Sequence, residues 1–481
     1  MNKSEVYEVV IGLEIHAQLA TKSKLFCGDG TLFGKTPNSQ VSAISLAHPG
    51  TLPKTNRQAV ALAVKLGIAC NCSIEKENYF ARKNYFYPDL PKGYQISQHT
   101  SPICKGGFIQ ITTSTGSREI ELNRIHLEED AGKSLHDQSP DCSFIDLNRA
   151  GIPLVEIVTE PNLYSAEEAA QFVMEMRKLV RWLGVSDGNM EEGSLRCDAN
   201  ISLRLTGSKK LGTKVEVKNL NSIRHLKKAI EFEIARMTDL LERGRSIQQE
   251  TRSFDAATET TFSLRNKEEA NDYRYFPDPD LAPFTITEDN LTEIKSFMPE
   301  LPNQWLKKLL AYDGLTDYDA RQLSEDLTTA QFFEATNNIC HFPKAIANWI
   351  LGPIKQKMNE HLEDKNTFPL TPAELASIIE LVEAGKVNFS VAAGKLLPAV
   401  IDTHKNTMLL AIEMNLIQTN EAEEIKKWID QVLQRMPDKV NEYRKGKKGL
   451  IGLFVGEIKK LSAGKANPQE VTRLLEEQLN Q

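Results

Sequence analysis

The sequence predicts an α+β protein: a large β-rich cradle domain with a few helices, then an all-α helical domain, then a small all-α tail domain. Three observations lead there. Short runs of alternating apolar and polar residues, separated by turn residues, recur up to about residue 290. Beyond about residue 295 the apolar residues instead step by three or four behind helix-start signals. The 481 residues, 41% hydrophobic and 26% charged, suffice for more than one core. The expected division is 1–294 for the cradle, 295–405 for the helical domain and 406–481 for the tail.

The first strand is "VVIGLEIHAQL" (9–19), in which Val9, Ile11, Leu13, Ile15, Ala17 and Leu19 form one face. Gly12, Glu14, His16 and Gln18 form the other, so a carboxylate and an imidazole project together from an apolar element. "GGFIQITTSTGSREIELNRIHLE" reads as a hairpin turning at Ser114–Ser117. Two helices interrupt the strands. Ser165 and Glu168 are spaced as a capping box for a helix to Leu183, with Gly184 at its stop. Ile223, Leu226, Ile230, Ile234, Met237 and Leu241 stripe a second, from about Ser222 to Arg243. "DYRYFPDPDLAPF" (272–284) is too rich in proline for regular structure and predicts an ordered loop closing the domain. Thr371-Pro372-Ala373-Glu374 and Asn467-Pro468-Gln469-Glu470 each open a later helix.

Composition narrows the class. No apolar run approaches 18 residues, so no membrane span is expected. "MNKSEVYEVV" has neither an apolar nor an Arg-rich leader, which makes the cytoplasm the expected location. Seven scattered cysteines predict reduced thiols, not a disulfide framework. The net charge of −7 does not advertise a nucleic-acid binder, yet Asn441 to Glu470 holds seven Lys or Arg against three Glu. That basic run suits phosphate-backbone contact as well as a solvated loop.

Several strands repeat the oddity of the first. "SLRCDANISLRL" sets Arg196, Asp198 and Asn200 opposite an apolar face, and "TKVEVKNL" does the same with Lys214, Glu216 and Lys218. "IHLEEDAGKSLHD" adds Glu128, Glu129 and Asp130, and "PLVEIVTEP" adds Glu156 and Glu160. Singly, each is a wet sheet face. Together, on one sheet, they would form a basin of carboxylates suited to Mg²⁺, with Lys and Arg for phosphate oxygens. A nucleotide-dependent phosphoryl-transfer site is therefore one reading of the pattern. The usual signatures are missing: "AGKSL" has Leu127 where a P-loop needs its first glycine.

These segments, with "RKNYFYPDLPKGYQISQ", "DLNRAGIPLVEIVTEP", "KVEVKNLNS" and "TRSFDAATETT", resemble the B subunits of the aspartyl/glutamyl-tRNA(Asn/Gln) amidotransferases, in order and over almost the whole chain. The tail resembles that family's small helical tail domain. The resemblance implies a ligase component. It uses ATP to phosphorylate the side-chain carboxylate of Glu on tRNA(Gln) or Asp on tRNA(Asn), then amidates it with ammonia. No serine amidase signature appears here, so ammonia would come from the glutaminase partner, the A subunit, with the small C subunit as second partner. The resemblance assigns Glu14, His16 and Glu129 to Mg²⁺, with Glu128 beside them and Lys83 as a phosphate clamp. Glu156, Arg196, Asp198 and Asn200 would complete the nucleotide and acyl-phosphate site, and Lys92 with Glu129 would gate an ammonia channel.

One departure stands out. Many relatives carry zinc-binding cysteines after the first strand, whereas here Cys27 is followed by Asp29, Ser42 and Ser45. One thiol and one carboxylate fall short of a structural zinc set, so no zinc is expected and the loop should be held by packing alone. Two other classes fit the residues: a tRNA-binding scaffold whose partner holds the chemistry, and an amide ligase for a free small carboxylate.

Overall fold

The computed structural model describes residues 6–480, except 115, 137, 138, 140, 267–273, 361–366, 419–421, 463 and 464. It divides into two compact units, Met1–Leu301 and Pro302–Gln481. The boundary expected at residue 294 falls inside a helix, Glu288–Ser296, whose residues Leu291 and Ile294 pack on the core of the first unit.

The first unit is built on one large sheet. Its main strands are β1 (Tyr7–Gln18), β2 (Ala81–Asn84), β3 (Tyr94–Ser97), β4 (Phe108–Thr113), β5 (Gly116–Glu129), β6 (Pro153–Thr159), β7 (Leu195–Leu205), β8 (Val215–Leu220), β9 (Glu250–Asp255), β10 (Thr260–Asn266) and β11 (Arg274–Pro277). They lie in the order β10-β9-β8-β7-β1-β6-β5-β3-β2-β11, and β4 forms a hairpin with β5. Of that hairpin's expected turn, residue 115 lies outside the described residues. Pairing along this order is antiparallel apart from β8 with β9. The first strand of the chain is thus central, between β6 and β7.

One face of the sheet is apolar. Ile11, Leu13, Ile15 and Ala17 of β1, with Cys197, Ala199 and Ile201 of β7, are almost wholly buried. Helices α1 (Arg57–Ala69), α2 (Ala166–Trp182) and α3 (Ile223–Glu242) contribute buried residues to the same core. Gly67 lets α1 approach closely, because a Cβ there would collide with Cys104 Sγ. The opposite face of the sheet carries the polar side chains of these strands.

The two predicted helices appear with their predicted ends. Ser165 Oγ accepts from Glu168 N at the start of α2, and Gly184 follows its end at φ +64°. Ser222 caps α3, and Gly244 follows it at φ +69°. Two differences are plain. Helix α1, capped by Asn56, was not expected within the β-rich region. Part of the proline-rich stretch read as a loop is strand β11, while its residues 272 and 273 lie outside the described residues. The strand tolerates Pro277 because it ends the sheet order, where an edge proline breaks no ladder.

The second unit is helical among its described residues. Helix α4 (Pro372–Glu383) starts with the capping box read from sequence, Thr371 with Glu374. Helix α5 (Thr407–Glu413) packs on α4, so the cut expected at 405 separates two helices in contact. A separate cluster of α6 (Ala422–Arg435), α7 (Ile451–Leu461) and α8 (Pro468–Leu479) buries Ile425, Ile429, Phe454, Ile458 and Leu475.

Candidate active site

Antiparallel register converts scattered sequence positions into one cross-strand row. His16 pairs with Arg196 on β7 and with Glu156 on β6, and Glu156 pairs with His126 on β5. Partners directly opposite share a face, so Arg196, His16, Glu156 and His126 stand side by side across four strands. Glu128, two residues beyond His126, shares that face. His16 Nε2 lies 3.5 Å from Glu128 Oε1 and 3.6 Å from Glu156 Oε2. His126, fully buried, has Nε2 3.3 Å from Glu156 Oε2 and 3.8 Å from Glu128 Oε2.

The electrostatics follow from burial and company. Burial opposes the charged imidazolium of His16, but its hydrogen bond to Glu156 and the nearby carboxylates outweigh it and raise the pKa to about 9. Burial likewise opposes ionised Glu156, and His126 with His16 prevails, holding that carboxyl well below its ordinary range. Among the described residues, His16, Glu128 and Glu156 are the group whose ligand atoms, all within 4.8 Å of one another, could hold a metal ion. Two carboxylates and an imidazole suit a divalent cation that retains water.

Glu14 lies one row along, opposite Asp198. Asn200 Nδ2 donates to Glu14 Oε1 (2.9 Å). Burial and the Glu156 charge push the Glu14 carboxyl above its ordinary 4.5, with Asn200 acting against them. Glu14 was expected as a direct cation ligand and stands outside the three-residue group. Asp198 Oδ2 accepts from Lys218 Nζ (3.0 Å), which also reaches Glu216 (2.8 Å). Arg196 donates to Asp130 Oδ1 (3.0 Å).

Glu129 departs further from expectation. Neighbouring residues of a strand face opposite sides, so Glu129 cannot join Glu128 at the cluster. It is buried, ion-paired with Lys92, and its Oε1 accepts from Ile96 N (2.9 Å). Lys83 sits on β2 opposite Tyr275 of β11, its ammonium 5.7 Å from the Tyr85 ring centre. His99 links the two regions, stacked on Tyr275 (5.1 Å between centres) and edge-on to His126 (6.0 Å).

Sequence reasoning missed His126, His99 and Tyr275 as members of this face, and placed Lys218 on it without giving it a role. The signal for His126 was present, since Arg124, His126 and Glu128 alternate along one strand. It also missed how the loop after β1 is held. Packing alone was expected there, but Asp29 Oδ2 accepts from Ser42 N (2.8 Å) and from Ser45 Oγ, and Cys27 Sγ lies 3.4 Å from that hydroxyl.

Comparison with known proteins shows the family. A family model described as the GatB/GatE catalytic domain matches residues 9–292, and one described as the GatB domain matches residues 331–479. The chain is 47% identical over 469 residues to the B subunit of the aspartyl/glutamyl-tRNA(Asn/Gln) amidotransferase of Thermodesulfovibrio yellowstonii, covering 98% of each. It is 47% identical over 479 residues to that of Rickettsia bellii, covering 99% of each. It is 44% identical over 473 residues to that of Nitratidesulfovibrio vulgaris, covering 98% of this chain and 99% of the relative. A four-strand acid-and-histidine row inside the matched catalytic domain, carried on a chain similar from end to end, places this protein in the family of aspartyl/glutamyl-tRNA(Asn/Gln) amidotransferase B subunits.

Proposed function

We propose that the chain activates and amidates the side-chain carboxylate of Glu on tRNA(Gln), of Asp on tRNA(Asn), or of both, as the B component of a complex with the glutaminase A subunit and the small C subunit. The work belongs to protein synthesis in the cytoplasm. The observation that carries this reading is the row Arg196–His16–Glu156–His126 with Glu128 beside it.

A free carboxylate is a poor acceptor for ammonia. ATP makes it an acyl phosphate, whose leaving group ammonia displaces. His16, Glu128 and Glu156 would hold Mg²⁺, with Glu14 one row away for the waters that ion keeps. Bound there, it would neutralise phosphate charge. Arg196, tied by Asp130 in a fixed orientation, and Lys83 on the far side of the row supply positive charge to phosphate oxygens. Asn200 orients Glu14, and Lys218 donates to Asp198 beside it. Water would hydrolyse an acyl phosphate, so ammonia must arrive through protein. Lys92, half-buried, and Glu129, buried, form an ion pair on the other side of β5 and would gate that arrival. No zinc takes part. The exposed basic loop at Arg444–Lys448 meets the tRNA backbone.

Reconstituted with its partners and given each misacylated tRNA in turn, the His16→Ala and Glu156→Gln variants should lose ATP-dependent amide formation by at least about a hundredfold. Glutamine hydrolysis by the partner should remain measurable. An amide yield like that of the unaltered protein would defeat the assignment.

A further inference from the structure

Lys24 is a charged side chain with no solvent exposure at all, and nothing above gives it a task. Lysine is almost never fully buried without strong pairing, yet this ammonium has neutral acceptors. Its Nζ donates to Leu147 O (3.2 Å) and to Ser45 Oγ (3.4 Å). Burial disfavours its charge, and Cys27, Asp29, Asp146 and Glu129 favour it from around the site.

Those contacts join three stretches that the strand ladder leaves apart. Lys24 itself follows β1. Ser45 belongs to the loop bound through Asp29, Ser42 and Cys27. Leu147 belongs to the turn leading into β6, where Leu25 N donates to Gly151 O (2.8 Å). Gly151, at φ +86°, marks where they converge: a Cβ there would lie 3.4 Å from Lys24 Cδ and 3.9 Å from Glu129 Oε2. The Lys24 stem and the Glu129 carboxylate therefore flank one point of backbone. Between them lies a cavity of about 20 Å³, lined by Lys24, Phe26, Ser45, Lys92, Glu129 and Gly151. That is room for one molecule the size of water or ammonia.

We propose that Lys24 is a positioning residue for ammonia delivery: by pinning the 27–45 loop to the 147–151 turn, it fixes the wall that faces the Lys92–Glu129 pair. The proposal rests on the reading of that pair as the point where ammonia enters. A buried ammonium suits the role because its neutral acceptors hold it without pulling Glu129 away from Lys92.

The test uses the whole complex with ATP and misacylated tRNA, and compares amide formation from glutamine with that from ammonium chloride supplied directly. Lys24→Met should lower the glutamine-supported rate about tenfold more than the ammonium-supported one, as expected for a misplaced wall. Ser45→Ala, which removes one acceptor and keeps the charge, should shift the ratio the same way by a smaller factor, and it decides the matter if Lys24→Met does not fold. Equal loss with both donors, or no loss with either, overturns the proposal. Lys92→Met separates the two ideas. If it shifts the ratio and the Lys24 and Ser45 variants do not, only the role of Lys24 fails; if it too leaves the ratio unchanged, the entry reading falls and takes the proposal with it.

Discussion

His126 is wholly shielded from solvent, and its Nε2 faces the carboxylates of both Glu156 and Glu128. Removing it would leave two partly compensated acids in a dry interior, and breaking one side of such a contact typically costs about 3–5 kcal/mol. His126→Leu should therefore lower the urea midpoint steeply, whereas Glu156→Gln, which keeps a polar side chain there and leaves Glu128 beside both imidazoles, should cost less. Equal midpoints for the two variants would show that the histidine is not held by these acids. Period-two alternation picks out Glu14, His16, Glu156, Arg196, Asp198 and Asn200 from sequence, because each lies on a long strand with one clear apolar face. The resemblance, not alternation, put Glu129 with the metal; as the strand neighbour of Glu128 it faces the other side, paired with Lys92.

Elements were legible where local chemistry sets their ends and obscure where only tertiary contacts do. Helix α4 is of the first kind. Thr371 Oγ1 accepts from Glu374 N (3.3 Å), and Glu374 Oε2 accepts from Thr371 N (2.7 Å). Thr371→Ala should cost about 1 kcal/mol, measured by denaturant unfolding. Burial acts to raise the Glu374 pKa, but the Thr371 backbone and His404 outweigh it and hold it below 4.5. A carboxyl depressed in the folded state stabilises fully above its unfolded value and loses that contribution as pH falls through the folded one. Unfolding free energy should thus decline as pH drops below about 4.5, and Glu374→Gln should flatten that part of the decline; an unchanged profile would count against the cap. Helix α1 is of the second kind. It has an Asn cap but no acid in its first turn or base in its last, and its small residues declare themselves only against Cys104 and Ile74. Strand β11 was hidden by its prolines, which an edge position tolerates.

For the molecule as a whole, charge is distributed unevenly. A chain of net charge −7 concentrates exposed cations in the loop at Arg444 and Lys445, where they are free to meet phosphates. Replacing both by alanine should weaken tRNA binding without altering the preference among sequences. It should also reduce the slope of log affinity against log salt by up to about 2, since each lost phosphate contact removes roughly 0.7–0.9. An unchanged slope would move the tRNA contact elsewhere. The division into a strand-rich first part and a helical second was readable because periodicity changes near residue 295. The finer boundaries were not, since α5 has apolar residues for α4 and no linker composition marks the join.

The central place of β1 has a consequence for biosynthesis. Strand β1 is flanked by β6 and β7, which leave the ribosome well over a hundred residues after it. At roughly 5–20 residues per second, a nascent chain carries an unpartnered "VVIGLEIHAQL" for many seconds, exposed to wrong pairing and to chaperones. A ribosome stalled anywhere before β7 would release a fragment able to aggregate but unable to assemble the four-strand row of acids and histidines.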